Sequence, residues 1–86
     1  MELLVIEDDI VVSEFISDSF KAQGHCADIV DDGRSGLAKA KTGSYHVLIV
    51  DRMIPELDGL EVIRSIRAAG INTPILILSA LADVDE

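Results

Sequence analysis

Three short, predominantly apolar runs, Leu3 to Ile6, His46 to Val50 and Ile75 to Leu78, each stop at a hydrophilic residue: Glu7, Asp51 and Ser79. An apolar run of that length without polar alternation suits a strand buried on both faces, as in a parallel sheet covered by helices on either side. The stretches between the runs are too long for hairpins and long enough for helices, so each connection is a crossover. The chain is therefore confined to an α/β fold of order β-α-β-α-β-α-β, a doubly wound parallel sheet.

The intervening segments fit that order. From Asp9 onward, Val12, Phe15, Ile16 and Phe20 recur at helical spacing with Ser13, Glu14, Ser17 and Asp18 between them. This predicts an amphipathic helix that buries those four apolar residues, capped at its start by Asp9 or its neighbour and ended by Gly24. His25 to Val30 alternates more and is expected to form a second strand, at an edge. Asp31-Asp32-Gly33 is expected to be a solvated turn. Arg34 to Lys41 is a weaker helix, with Gly36 in its interior, a stripe of only Leu37, Ala38 and Ala40, and Gly43 as its end. A mid-helix glycine costs about 1 kcal/mol relative to alanine. After a loop over 52–57, Asp58 and Glu61 have the spacing of a capping box for a helix that turns Leu60, Val62, Ile63 and Ile66 inward. Gly70 ends that helix and Asn72-Thr73-Pro74 is a turn. Residues 80–86 begin a further helical pattern.

Composition removes several functional classes. Sixteen acidic residues against seven Lys and Arg give a net charge of -9, which opposes nucleic-acid phosphate and anionic lipid alike. The segment is not expected to bind nucleic acid directly. No apolar run approaches the roughly 18 residues of a membrane span. The first basic residue is Lys21, so no charged leader precedes an apolar stretch, and a cytoplasmic location is expected. The single cysteine, Cys26, permits no internal disulfide and reads as a buried or edge-strand thiol. All 86 residues are expected to form one domain.

The strand ends carry the chemistry. In parallel strands, Glu7-Asp8, Asp51 and Ser79 share the carboxyl edge of the sheet, where open α/β folds bind ligands beside a reversal of strand order. If the second strand lies outside the first and the third on its other side, Glu7, Asp8 and Asp51 flank that crevice. Two unit charges about 4 Å apart repel by roughly 4 kcal/mol at an effective dielectric of about 20, so converging carboxylates call for a cation. An all-oxygen donor set favours a hard ion, and Mg²⁺ suits one or two carboxylates together with a phosphate. His25 and His46 fall at the opposite ends of their strands and are expected to be solvated.

The segments LLVIEDD, VLIVDRMIPELDGLEVIRSIR and TPILILSA, in this order and spacing, resemble the receiver domain of two-component response regulators. The ED pair and the DRMIPELDG segment resemble the subfamily of winged-helix transcriptional regulators. The resemblance spans essentially the whole chain. It implies a flavodoxin-like receiver fold with strand order 2-1-3-4-5 and a signalling role for the module, not that of a dedicated enzyme. Asp51 corresponds to the phosphoacceptor, which takes its phosphoryl group from a sensor histidine kinase. Asp8 and Asp51 correspond to direct Mg²⁺ ligands, Glu7 to an acid that often acts through water, and Met53 to a ligand through its backbone carbonyl. Ser79 corresponds to the switch hydroxyl and Ala80 to the small neighbour that keeps the site accessible. Pro55 and Gly59 match the loop and helix start around the acceptor.

Relative to that family the chain is expected to lack most of the fourth helix, the fifth strand with its lysine, and the last helix, with the output domain outside it. Ile75 to Leu78 would then be an apolar edge open to a second copy, through strand pairing or element exchange. Two other readings stand beside the phosphoacceptor. A haloacid-dehalogenase-like phosphohydrolase would need a second aspartate where Met53 stands. A phosphorylation-independent interaction or dimerisation module would keep the acidic site without using it.

Overall fold

The structure is a computed structural model, which describes residues 1–54 and 58–78. The strands are β1 (Glu2–Ile6), β2 (Cys26–Val30), β3 (Val47–Asp51) and β4 (Ile75–Leu78), and the helices α1 (Ile10–Lys21), α2 (Gly33–Thr42) and α3 (Gly59–Ala68). They alternate as the apolar runs require. The sheet is parallel, in the order β2-β1-β3-β4. The order reverses between β1 and β3. The pattern in residues 80–86, together with Pro55, Ser79 and Ala80, lies outside the described residues.

Strand β1 is the spine. Leu4 and Ile6 point to one face, where they meet Leu48, Val50, Ile54, Ala40 of α2, and Val62 and Ile66 of α3. Leu3 and Val5 point to the other, where Ile49, Ile16 and Phe20 cover them. None of Leu3, Leu4, Val5 and Ile6 is more than 1% exposed. At about 25 cal/mol per Å² of apolar area, burying each such side chain contributes roughly 1.5–3 kcal/mol, and β1 concentrates four of them.

Helix ends follow local chemistry. Asp9 caps α1, its Oδ1 accepting from the Val11 and Val12 amides at 3.0 and 3.3 Å. Gly24 (φ 87°) and Gly70 (φ 83°) close α1 and α3 in the left-handed conformation. In each case the following amide returns to the helix, His25 to the Phe20 carbonyl and Ile71 to that of Ile66.

Several local expectations are corrected. Asp32 is not a bare turn residue but the N-cap of α2, accepting from the Ser35 amide at 2.7 Å and from its hydroxyl at 3.1 Å. The Ser35 amide bond in turn holds the Asp32 carboxyl below its usual range. The capping box of α3 forms only by half. Asp58 accepts from the Leu60 amide at 2.9 Å, while Glu61 pairs with Arg64 instead of reaching back. Ala38 is exposed, and the buried positions of α2 are Gly33, Gly36 and Ala40.

Helix α1 is rotated relative to the expected stripe. It buries Ser13 and Ser17 with part of Ile16 and Phe20, and leaves Phe15 72% exposed and Val12 exposed at its margin. Small serines let the helix backbone approach the sheet, and the Ser13 hydroxyl is satisfied by the Ile10 carbonyl at 3.2 Å. Spacing alone does not distinguish this face from its neighbour.

The two histidines are not simply solvated. His46 Nδ1 accepts from the Glu2 amide at 2.9 Å while its own amide donates to the Glu2 carbonyl at 2.7 Å. His25 Nδ1 lies 2.8 Å from the Met1 amino group. Both rings close the amino edge of the sheet, far along their strands from the acidic residues. Cys26 is an exposed thiol on edge strand β2. No described helix is long and apolar enough to cross a membrane.

Gly36 has a steric reason. A Cβ there would fall 2.8 Å from Ile6 Cγ1 and nearer still to its Cδ1, so α2 lies flat on β1 only because that atom is missing. Gly36→Ala is therefore expected to destabilise the fold by about 1–3 kcal/mol through overpacking, although alanine is the better helix former. Urea denaturation checks this, and a midpoint at or above the parent's would contradict it.

Candidate functional site

Three carboxylates meet where the strand order reverses. Glu7 follows β1 directly, held in line by its amide, which donates to the Val30 carbonyl of β2 at 3.0 Å. Asp8 comes next. Asp51 is the last residue of β3, the strand on the other side of β1. One carboxylate oxygen from each of Glu7, Asp8 and Asp51 lies within 4.8 Å of the others. Parallel register produces this convergence, since Ile6 pairs with Val50 and the next residue of each strand is the acid.

The three acids differ in surroundings. Glu7 is buried, Asp51 half-buried and Asp8 exposed. The Glu7 carboxyl is pushed up to about 7, chiefly by burial and further by the neighbouring Asp51 and Asp8 carboxyls, against the opposing bond from the Asp9 amide to Oε2 at 3.0 Å. A carboxyl in this state holds a proton where a cation would otherwise balance the charge. The donors are all oxygen, close enough to share one ion, and mutually repulsive without it. They fit a hard divalent cation such as Mg²⁺.

The backbone beyond Asp51 folds back on the site. The Met53 amide donates to Asp51 Oδ1 at 3.1 Å, while the Met53 side chain points outward and is 72% exposed. Ile54 then drops into the core beside Val62 and Ile66.

Residues outside the expected set also border the acids. A groove of about 380 Å³ runs from Glu7 and Asp8 toward β2, walled by Ile10 and Ser13 of α1, Ile29, Asp31 and Ser35. Its walls come from elements distant in sequence and carry no common motif, so only the fold reveals them. The structure thus brings together Glu7, Asp8, Asp51 and the Met53 backbone, whereas Ser79 and Ala80 are outside the described residues.

Comparison with known proteins agrees with the fold. The family model "Response regulator receiver domain" matches residues 3–86. The probable transcriptional regulatory protein SilR of Salmonella typhimurium is 36% identical over 86 residues, which cover 100% of this chain and 38% of that protein. The chain thus spans little more than a third of that relative. Among solved structures, the Francisella response regulator 1452 receiver domain superposes with a TM-score of 0.90 at 36% identity, covering 96% of this chain and 69% of that one. The receiver domain of the sensor histidine kinase PA1611 from Pseudomonas aeruginosa, which has a magnesium ion coordinated in its active-site cleft, superposes at 0.87 with 32% identity, covering 92% and 66%. With the matching family model over nearly every residue, the parallel sheet reversing between β1 and β3, and the acids gathered at that reversal, the chain belongs to the response regulator receiver domains.

Proposed function

We propose that the chain is a phosphoacceptor module of a two-component system in which Asp51 takes a phosphoryl group from a phosphohistidine of a sensor kinase. The convergence of Glu7, Asp8 and Asp51 at the strand-order reversal is the observation that carries this reading. Asp8, Asp51 and the Met53 backbone carbonyl would hold Mg²⁺, with Glu7 behind them. When bound, the ion supplies positive charge opposite the phosphoryl oxygens.

The residues of the chain do the rest by position. An Asp51 carboxylate oxygen attacks phosphorus as the N–P bond of the donor breaks. The electron pair of that bond returns to the imidazole, whose other nitrogen carries the proton, so a neutral ring leaves. The Met53 amide bonded to Oδ1 restrains the Asp51 carboxylate before attack. The new phosphoaspartate brings negative charge and acceptor oxygens, to which the Ser79 hydroxyl would turn, with Ala80 leaving room. This change would control an output domain, a transcriptional one by the nature of the relatives, in the cytoplasm where kinase and target meet.

A second reading is favoured by β4. Among the described residues it forms one edge of the sheet, and Leu76 and Ile77 are 55% and 45% exposed. Such an edge is a template for another strand, and we propose that a second copy of this chain covers it. Static light scattering should then give a mass above that of the monomer, reduced by Leu76→Lys. A monomer at all concentrations removes this reading and leaves the first intact.

The phosphoacceptor is tested by incubating the chain with Mg²⁺ and a small-molecule phosphodonor and recording its mass. A single phosphoryl adduct is expected on the parent and none on Asp51→Asn; an adduct on the variant, or none on a folded parent, refutes the assignment. The acidic site also sets a pH dependence in the metal-free chain. The Glu7 carboxyl lies at about 7 when folded, against an ordinary value of 4.5. Below about pH 4.5 it is protonated in both states and costs nothing. Between there and about pH 7 the unfolded state ionises first, so stability falls as pH rises, by about 3 kcal/mol in all, and then levels. With EDTA present, Glu7→Gln should flatten this part of the stability profile, and an unchanged slope in the variant would assign it elsewhere.

A further inference from the structure

Gly59 opens α3 directly against the backbone that follows Asp51. A Cβ on it would stand 2.7 Å from the Arg52 Cα and 3.0 Å from the Asp51 carbonyl carbon, and closer still to the Asp51 carbonyl oxygen. All three are main-chain atoms, so no side-chain rotation relieves the conflict. The Gly59 amide also donates to the Arg52 carbonyl at 2.8 Å. The same segment is tied from its other side, where the Arg52 amide donates to the Leu78 carbonyl of β4 at 2.9 Å. The 51–52 peptide is thereby caught between β4 and the first residue of α3. It stands directly between the carboxylate of Asp51 and the backbone of Met53, whose amide bonds that carboxylate.

We propose that Gly59 is a positioning residue of the cation site: its missing side chain lets α3 clamp the 51–52 peptide, and the clamp makes Asp51 and the Met53 backbone converge on one ion. The proposal rests on the reading of Glu7, Asp8, Asp51 and Met53 as cation ligands. Adding one methyl group must lift α3 or shift that peptide, and either movement spreads the ligands apart. Loss of backbone order near a metal lowers affinity without removing a ligand atom.

The test is titration calorimetry of Mg²⁺ into the full chain. Parent and Asp51→Asn are compared first. If the parent binds no better than Asp51→Asn, the cation site itself fails and the clamp with it. Given a binding parent, Gly59→Ala is expected to weaken Mg²⁺ affinity at least tenfold. Gly43→Ala is the control. A Cβ at Gly43 would press on the Tyr45 ring and stand 3.0 Å from the Lys39 carbonyl oxygen, at the amino edge of the sheet, so it should lower the melting temperature with Mg²⁺ affinity unchanged. Parent-like affinity in a folded Gly59→Ala, or equal loss in both glycine variants, overturns the clamp. If Gly59→Ala does not fold, Asp58→Ala and Asp58→Asn decide. The first releases the start of α3 without adding an atom and should weaken binding several-fold. The second keeps a capping side chain and should bind as the parent does. Parent affinity in both, or equal loss in both, overturns the clamp.

Discussion

Everything in this fold leans on the burial of β1 from both sides. Its four apolar residues split evenly between the two faces, so a helix on each side is needed to exclude water from them. The parallel ladders to β2 and β3 then follow, because a strand in that position must pair along both edges to satisfy its amides and carbonyls. Once β1 is the spine and its neighbours run parallel, the residue after each strand end emerges at the same edge. The chemistry of the site is a consequence of that register.

The same edge carries an electrostatic cost that the hydrophobic layers offset. Glu7 sits at the point where the core ends, too buried to ionise freely and with carboxylate oxygens of two further acids within 4.8 Å. A site assembled this way suits a cation, since a positive charge offsets the repulsion among the three acids. The backbone after Asp51 is held with equal care. Asp58 caps α3, Gly59 touches Asp51's own peptide, and Ile54 anchors the loop in the core. Packing and charge therefore meet within a few residues of Asp51.

Much of this was legible in the residues. Uninterrupted apolar runs identified β1, β3 and β4, Gly24 and Gly70 marked the ends of α1 and α3, and the acids after β1 and at the end of β3 pointed to the edge where they meet. Other features were not. The apolar spacing in α1 suggested that Phe15 faces inward, yet Ser13 and Ser17 occupy the buried face because small side chains allow closer approach to the sheet. Gly36 looked like a weakness of α2, whereas the Ile6 side chain fills the space where its Cβ would stand. Helical periodicity records which residues are apolar. It does not record how close the neighbouring element comes.

The sequence by itself determined the order of elements, the parallel character of the sheet and the identity of the three acids, because strand length, burial on two faces and crossover length are all properties of consecutive residues. Only the tertiary structure decided which acid is buried, how near the three lie, which face α1 presents and why Gly36 and Gly59 carry no side chain. Those depend on the distance between segments remote along the chain, and that distance is set by the packing of both layers against β1.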